Sequence, residues 1–252
     1  MRKEDVTRRF GLEGGEFYIT APAPCPYLAG KTERKVFSYL GGASAPSMNA
    51  MLTRRGFRRS QNIIYIPACE ACQACVPVRI VVDDFTLTRS RKRALSKNAD
   101  LIRRVRPPQA TSTQYSVLRG YLDARHDDGG MADMTVLDYA SMVEETSVET
   151  MLIEYSLRAE DGEERLVACA LSDRLTDGLS MVYSFFEPDH AARSLGRFMI
   201  FDHVALARDL SLPYVYLGYW VEGSLKMDYK RDFQPLERLT ASGWVRMDRR
   251  SA

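Results

Sequence analysis

Long apolar runs are missing from this sequence: none approaches the roughly 20 consecutive apolar residues of a membrane-spanning helix. The amino end, Met-Arg-Lys-Glu-Asp-Val-Thr-Arg-Arg, has no apolar core of the kind a signal peptide carries. Both absences lead to the expectation of a cytoplasmic protein. Histidine is scarce: the chain has three, His126, His190 and His203, scattered too widely to suggest a catalytic triad. His203 sits mid-way along an apolar helical run and reads as a packed core residue. No internal repeat or low-complexity tract is evident. What remains is ordinary globular material, 45% apolar and 27% charged. Its 252 residues suffice for two modest domains or one large one.

Four of the five cysteines form a pattern. Cys69, Cys72 and Cys75 lie in Pro67-Ala-Cys-Glu-Ala-Cys-Gln-Ala-Cys-Val-Pro77, two successive C-x₂-C steps. Cys25, in Ala-Pro-Cys-Pro-Tyr, can supply a fourth thiol. Cytoplasmic thiols stay reduced, so such a set points to Zn²⁺ or an iron–sulfur cluster before it points to disulfides. Thiols packed around a loop without metal remain an alternative. Cys169, in Val-Ala-Cys-Ala-Leu, reads as a buried strand residue. Charge is unevenly spread: residues 1–110 carry +11 and residues 111–252 carry −9. A basic half suggests that this half meets a polyanion, and with the cysteine block it points towards RNA.

The patterning predicts a mixed α+β chain. Strands are expected at 16–20, 62–67, 77–83 and 100–106, with the cysteine loop joining a pair of them. Helices are expected over 48–56, ended by Gly56, and over 88–98, with an exposed Arg-Lys-Arg face. Pro107-Pro108 is the expected boundary between a basic cysteine-bearing region, 1–106, and a second domain, 107–252. After it come helices from Thr111 and Thr135. Three apolar strands follow, separated by Asp161-Gly162 and Asp177-Gly178, and read as an antiparallel meander. A polar turn, a buried helix over 194–210 and a strand over 213–220 follow these. That order resembles the core of acetyltransferase-like (GNAT-like) folds, a mixed sheet with helices, here preceded by the cysteine-bearing region. In such folds the turn before the central helix offers N–H groups to phosphates.

A more specific resemblance rests on Cys25-Pro-Tyr-Leu, Gly56-Phe-Arg-Arg-Ser60, Tyr65-x-Pro-x-Cys-x-x-Cys-x-x-Cys-x-Pro-Val-Arg79 and Ser90-Arg-Lys-Arg93. It continues through Phe185-Phe-Glu-Pro188, Ser194-Leu-Gly196, Tyr216-Leu-Gly-Tyr219 and Met227-Asp-Tyr-Lys230. In this order they resemble the bacterial aminoacyl-tRNA–protein transferases, the branch that places leucine on N-terminal aspartate and glutamate, similar to the eukaryotic arginyl-tRNA–protein transferases. The resemblance implies an aminoacyltransferase acting on leucyl-tRNA and on proteins with N-terminal Asp or Glu, marking them for N-end-rule degradation. Neither DNA nor a membrane is an expected partner. It also implies that the cysteines belong to the enzyme, the eukaryotic relatives being implied to hold an iron–sulfur cluster. An acetyl-CoA-dependent N-acetyltransferase and a non-enzymatic metal-knuckle RNA-binding protein are the competing readings. The first expects a glycine-rich pyrophosphate turn, where Ala191-Ala-Arg-Ser-Leu-Gly-Arg197 has one glycine.

The chemistry then nominates residues. An acidic acceptor side chain suits guanidinium groups, so Arg58, Arg59 and Arg79 are candidates to bind it, with tRNA phosphates as their other use. Arg89, Arg91, Lys92 and Arg93 read as a tRNA-binding helix face. Tyr65 belongs to the cysteine motif and is assigned to substrate binding with Ser194, Gly196, Trp220 and Tyr229. Glu187 is the candidate proton acceptor, with Tyr219 and Lys230 as further catalytic candidates. The leucyl/phenylalanyl relatives carry Asp-x-Gln on the strand where this chain has Leu217-Gly-Tyr219, so their catalytic assignment does not carry over.

Overall fold

The computed structural model describes residues 16–125, 133–160, 162–224 and 226–248; His126 lies outside them. Its frame is an eight-stranded mixed sheet. In spatial order the strands are β14 (Gly243–Arg246), β13 (Leu236–Thr240), β7 (Cys75–Val81), β12 (Tyr214–Val221), β11 (Gly178–Phe186), β10 (Glu164–Arg174), β9 (Thr150–Arg158) and β8 (Ile102–Arg106). All neighbours run antiparallel except β11 and β12. That parallel pair is joined by helix α5 (Leu195–Asp209), a crossover of the kind a parallel step requires. The meander β9–β10–β11 and this crossover give the acetyltransferase-like frame expected from the pattern.

Period-two alternation divides the sheet between two cores. Ile153, Tyr155, Ala168, Ala170 and Phe186 face α5, whose Leu195, Met199 and Val204 they meet. Leu152, Cys169, Leu171 and Phe185 face the other way, onto α3 (Ser112–Arg125) and α4 (Val136–Glu144). Both helices begin on reciprocal caps. Thr111 Oγ1 accepts from the N–H of Gln114, whose side chain accepts from the N–H of Thr111. Thr135 and Asp138 do the same at α4. Cys169 is fully buried on its strand, as expected.

A second, four-stranded sheet has the order β1 (Tyr18–Ile19), β4 (Lys35–Tyr39), β6 (Ile63–Pro67), β5 (Arg58–Ser60). Helix α1 (Ala45–Arg54) packs Leu52 into its core with Val36, Ile64 and Ile66. Gly56, at φ +89°, turns the chain from α1 into β5, close to the expected helix stop. A two-stranded ribbon, β2 (Ala23–Pro24) with β3 (Thr32–Glu33), leads into Cys25. The expected pairing of the strands flanking the cysteine loop does not occur. Ile64 and Ile66 of β6 fill the small core, whereas Val78 and Ile80 of β7 fill the large one. The cysteine loop therefore crosses from one sheet to the other.

The two halves of the chain are built into each other. Strands β7 and β8, both before Pro107, lie in the same sheet as β9 to β14. Five arginines of the basic half pair with carboxylates of the acidic half. Arg59 meets Asp173, Arg79 meets Glu237, Arg103 meets Asp202, Arg104 meets Glu164 and Arg106 meets Glu154. Part of the charge asymmetry is thus internal complementarity. No helix among the described residues is long and apolar enough to cross a membrane.

Candidate active site

Strands β11 and β12 are hydrogen-bonded only over their first residues, Gly178–Ser180 against Tyr214–Tyr216. Beyond that they diverge, and β12 shifts register against β7 between Tyr216 and Gly218. The divergence opens a cavity of about 560 Å³. Arg58, reaching in from β5, holds the split open. Its Nη2 donates to Val182 O on β11. On β12 its guanidinium lies against Gly218, at φ +71°, where an added Cβ would stand 2.5 Å from Arg58 Nη1. Only glycine supplies both that backbone and that space.

Lys230, from a 3₁₀ turn over Asp228–Asp232, forms part of the cavity wall and is itself buried. Its Nζ donates to Leu217 O at 2.7 Å and to Tyr219 O at 2.8 Å. Burial, and then the neighbouring Arg58 charge, hold its pKa well below that of an ordinary lysine. A neutral amine has two hydrogens to donate, so these two carbonyls can use both and leave a lone pair. Methionines 134, 142, 181 and 227, with Ile200 and Leu217, supply the apolar wall. Tyr183 also lines it, and its buried hydroxyl has no hydrogen-bond partner. Lys226, exposed, stands at the rim. Asp138 lines the cavity as well, but its carboxylate accepts from Thr135 N and Oγ1 at the start of α4.

Of the residues nominated from sequence, Arg58, Arg59, Tyr65, Tyr229 and Lys230 come together on this cavity. Arg59 is consumed: its Nε and Nη2 grip Asp173 at 2.6 and 2.7 Å, with both side chains buried. The others lie elsewhere. Arg79 bonds Glu237 and Tyr216 and is stacked against Tyr214 and Trp244, 3.4 and 4.3 Å from their ring centres. Glu187 faces Arg165 and His190. Tyr219 is fully buried, its hydroxyl held between Gly56 O and Tyr65 O. Trp220 donates to Asp228 at 3.1 Å. Ser194, at φ 56°, and Gly196 begin α5 outside the cavity wall. His203 is a core residue: Nδ1 bonds Met199 O at 2.7 Å, and Nε2 lies 2.8 Å from Ser172 Oγ. Helix α2 (Arg89–Ser96) exposes Arg89, Lys92 and Arg93. Arg91 corrects the expected exposed face. Its guanidinium turns inward over the Phe85 ring and donates to Thr86 O and Gln234 O, because the helix packs its first turn onto the loop before β13.

The four patterned cysteines line one separate cavity, of about 380 Å³. Burial, and then the other three thiols, push the Cys75 thiol up to about 12. Among the described residues no three Cys, His, Asp or Glu side chains are arranged to hold a metal ion. The thiols as placed do not fit one.

Residues 23–93 match the family described as "Arginine-tRNA-protein transferase, N terminus", and residues 113–240 its C-terminal counterpart. A protein named aspartate/glutamate leucyltransferase from Afipia carboxidovorans is 58% identical over 92% of this chain and 93% of its own length. One of the same name from Bradyrhizobium diazoefficiens is 59% identical over 92% of each. Among solved structures, L-PGS from Bacillus licheniformis matches at 11% identity and a TM-score of 0.42, covering 64% of this chain and 53% of that one. A C-terminal DUF2156 domain from Agrobacterium fabrum matches at 15% and 0.44, covering 73% and 54%.

Proposed function

The chain belongs to the arginine-tRNA–protein transferase family, and from that premise we propose that it transfers leucine from leucyl-tRNA to the α-amine of proteins beginning with Asp or Glu, in the cytoplasm, so marking them for degradation. The observation that carries this reading is one cavity that joins an apolar, methionine-rich wall to the Arg58 guanidinium and, beside it, the buried amine of Lys230. The wall suits a leucyl side chain. The Arg58 guanidinium suits the acceptor's carboxylate.

The reaction forms a peptide bond between the acceptor nitrogen and the ester carbonyl carbon, and breaks the ester bond to the terminal ribose. The ester is already activated, so no ATP enters. The acceptor must arrive as an amine, whose pKa is near 8. The acceptor ammonium has by then lost one proton to solvent; as the peptide bond forms, Lys230, its pKa lowered by burial, takes through its lone pair the second proton that the attacking nitrogen sheds. It returns one to the departing ribose oxygen. Much of the rate then comes from holding amine and ester together.

The test supplies leucyl-, arginyl- and phenylalanyl-tRNA in parallel with peptides beginning in Asp, Glu, Asn or Lys. Leucine on Asp and Glu peptides is the expected product, and arginine as the preferred donor contradicts the reading. Lys230→Met should lower kcat by about 10²–10⁴-fold, the usual worth of a general base. Lys230→Arg should not rescue it, because a guanidinium does not give up its proton. Rescue by arginine would make Lys230 a carboxylate-binding cation instead of a base.

A further inference from the structure

A second cavity, of about 350 Å³, lies beside the first, where the starts of α2 and α5 meet the 3₁₀ turn over Asp228–Asp232. Its wall holds three arginines, Arg91, Arg197 and Arg231, against one carboxylate, Asp232, with the Ser90 side chain and Gln234 beside them. Arg91 is a fixed charge, anchored on Thr86 O and Gln234 O. Arg197 is half-exposed, bonds Asp232 at 2.8 Å and lies 5.8 Å over the Phe233 ring. Arg231 lies 5.6 Å over Trp220, donates from Nε to Asp248 O at 3.4 Å and stands 3.9 Å from Glu222. Planar guanidinium groups presented in this way suit phosphate oxygens.

The two cavities share a partition. Ile200 lines the first and Phe201, its neighbour on α5, lines the second. Tyr229 of the first stacks edge-on against Phe233 of the second, 5.9 Å between centres. A strand whose aminoacylated 3′ end occupies the first cavity therefore has the second within reach.

We propose that the Arg91–Arg197–Arg231 cavity holds backbone phosphates of the unpaired 3′ strand of the tRNA donor. This rests on the first cavity receiving the aminoacyl end. Arg89, Lys92 and Arg93, exposed on α2 next to the cavity's rim, continue the same positive track. The arginines that grip the 3′ strand are thus distinct from Arg58, which lines the first cavity.

Binding of uncharged tRNA tests it without any transfer step. Full-length tRNA is compared with the same tRNA shortened by its unpaired 3′ nucleotides, on the wild-type protein and on Arg197→Ala and Arg231→Ala. The expected result is about tenfold weaker binding of full-length tRNA by each variant, the scale of one charge-assisted contact. The salt slope should fall by about 0.7 per lost contact on a single strand. Shortened tRNA should bind wild type and variants alike. Arg197→Lys should retain most of the affinity, with an unchanged melting temperature. Variants that weaken both RNAs equally, or neither, overturn the proposal. If 3′-dependent binding is lost in the variants but no leucine is transferred by the wild type, the phosphate site stands and the reading of the activity fails. If leucine is transferred and the variants bind tRNA normally, the reverse holds.

Discussion

Gly218 and Arg58 are the smallest unit of the site, and neither explains itself alone. The guanidinium occupies the space a side chain at 218 would need. Gly218→Ala places an L-residue at φ +71°, which costs about 1–2 kcal/mol for backbone conformation, and it drives Arg58 from Val182. Denaturant unfolding should show that loss, and kcat/KM for Asp-initiated peptides should fall further than for Asn-initiated ones. An unchanged peptide preference would mean that Arg58 does not read the acceptor. At this scale the sequence pointed to residues that line the cavity where a motif carried them: Arg58 in Gly-Phe-Arg-Arg, Lys230 in Met-Asp-Tyr-Lys. It was opaque where a common residue type acquires a role from its surroundings. Met134, Met142 and Met181 have no local signal, and Tyr183 was one aromatic among several on alternating strands. Glu187 looked placed for chemistry because it ends β11 before the turn, but its carboxylate is directed to Arg165 and His190.

Elements were easier to read than their partners. Turn chemistry at Asp177-Gly178, capping residues Thr111 and Thr135 and the apolar run of α5 each predict a local structure, and each forms. Pairing is a long-range outcome, so the separation of β6 from β7 and the joining of β7 to β12 were not visible. The β13–β14 hairpin was missed for the same reason: Leu236–Thr240 is short and charged, and only its place beside β7 makes it a strand. Helix α5 carries a pH-dependent feature. His203 is fully buried and its pKa is lowered, chiefly by burial. Above pH about 6.5 the folded and unfolded chains both hold it neutral. Below that, the unfolded chain takes up a proton that the folded one refuses. Stability should therefore fall by up to about 1.4 kcal/mol per pH unit until the folded pKa is reached. His203→Asn should be less stable at neutral pH and should lack this acid-dependent component. An identical acid slope in the variant would assign the loss to other groups.

The two halves of the chain share one sheet and one core, and ion pairs between them take up part of the charge that the sequence displayed as an imbalance. The charge split suggested that the basic half meets a polyanion, and Pro107-Pro108 suggested a domain boundary. In the structure part of that charge difference is matched between the halves, with the Arg59–Asp173 pair the most deeply buried example. Asp173→Ala should leave Arg59 uncompensated and cost about 3–5 kcal/mol. Replacing both residues with apolar ones should recover part of it. A cost below about 1 kcal/mol for the single change would mean that the sheets do not depend on this pair. Arg59 follows Arg58 directly, so this buried ion pair and the split that holds the site are neighbours in sequence and in space. Under the proposed function, this split is where leucine passes from tRNA to an acidic N-terminus. The most direct measurement incubates leucyl-tRNA with an Asp-initiated peptide and the protein, without ATP, and sequences the product by mass spectrometry. The expected product carries one added leucyl residue on the α-nitrogen, formed by the wild type and lost with Lys230→Met. No adduct, an adduct on a lysine side chain, or an acetyl group gained only when acetyl-CoA is supplied would contradict it.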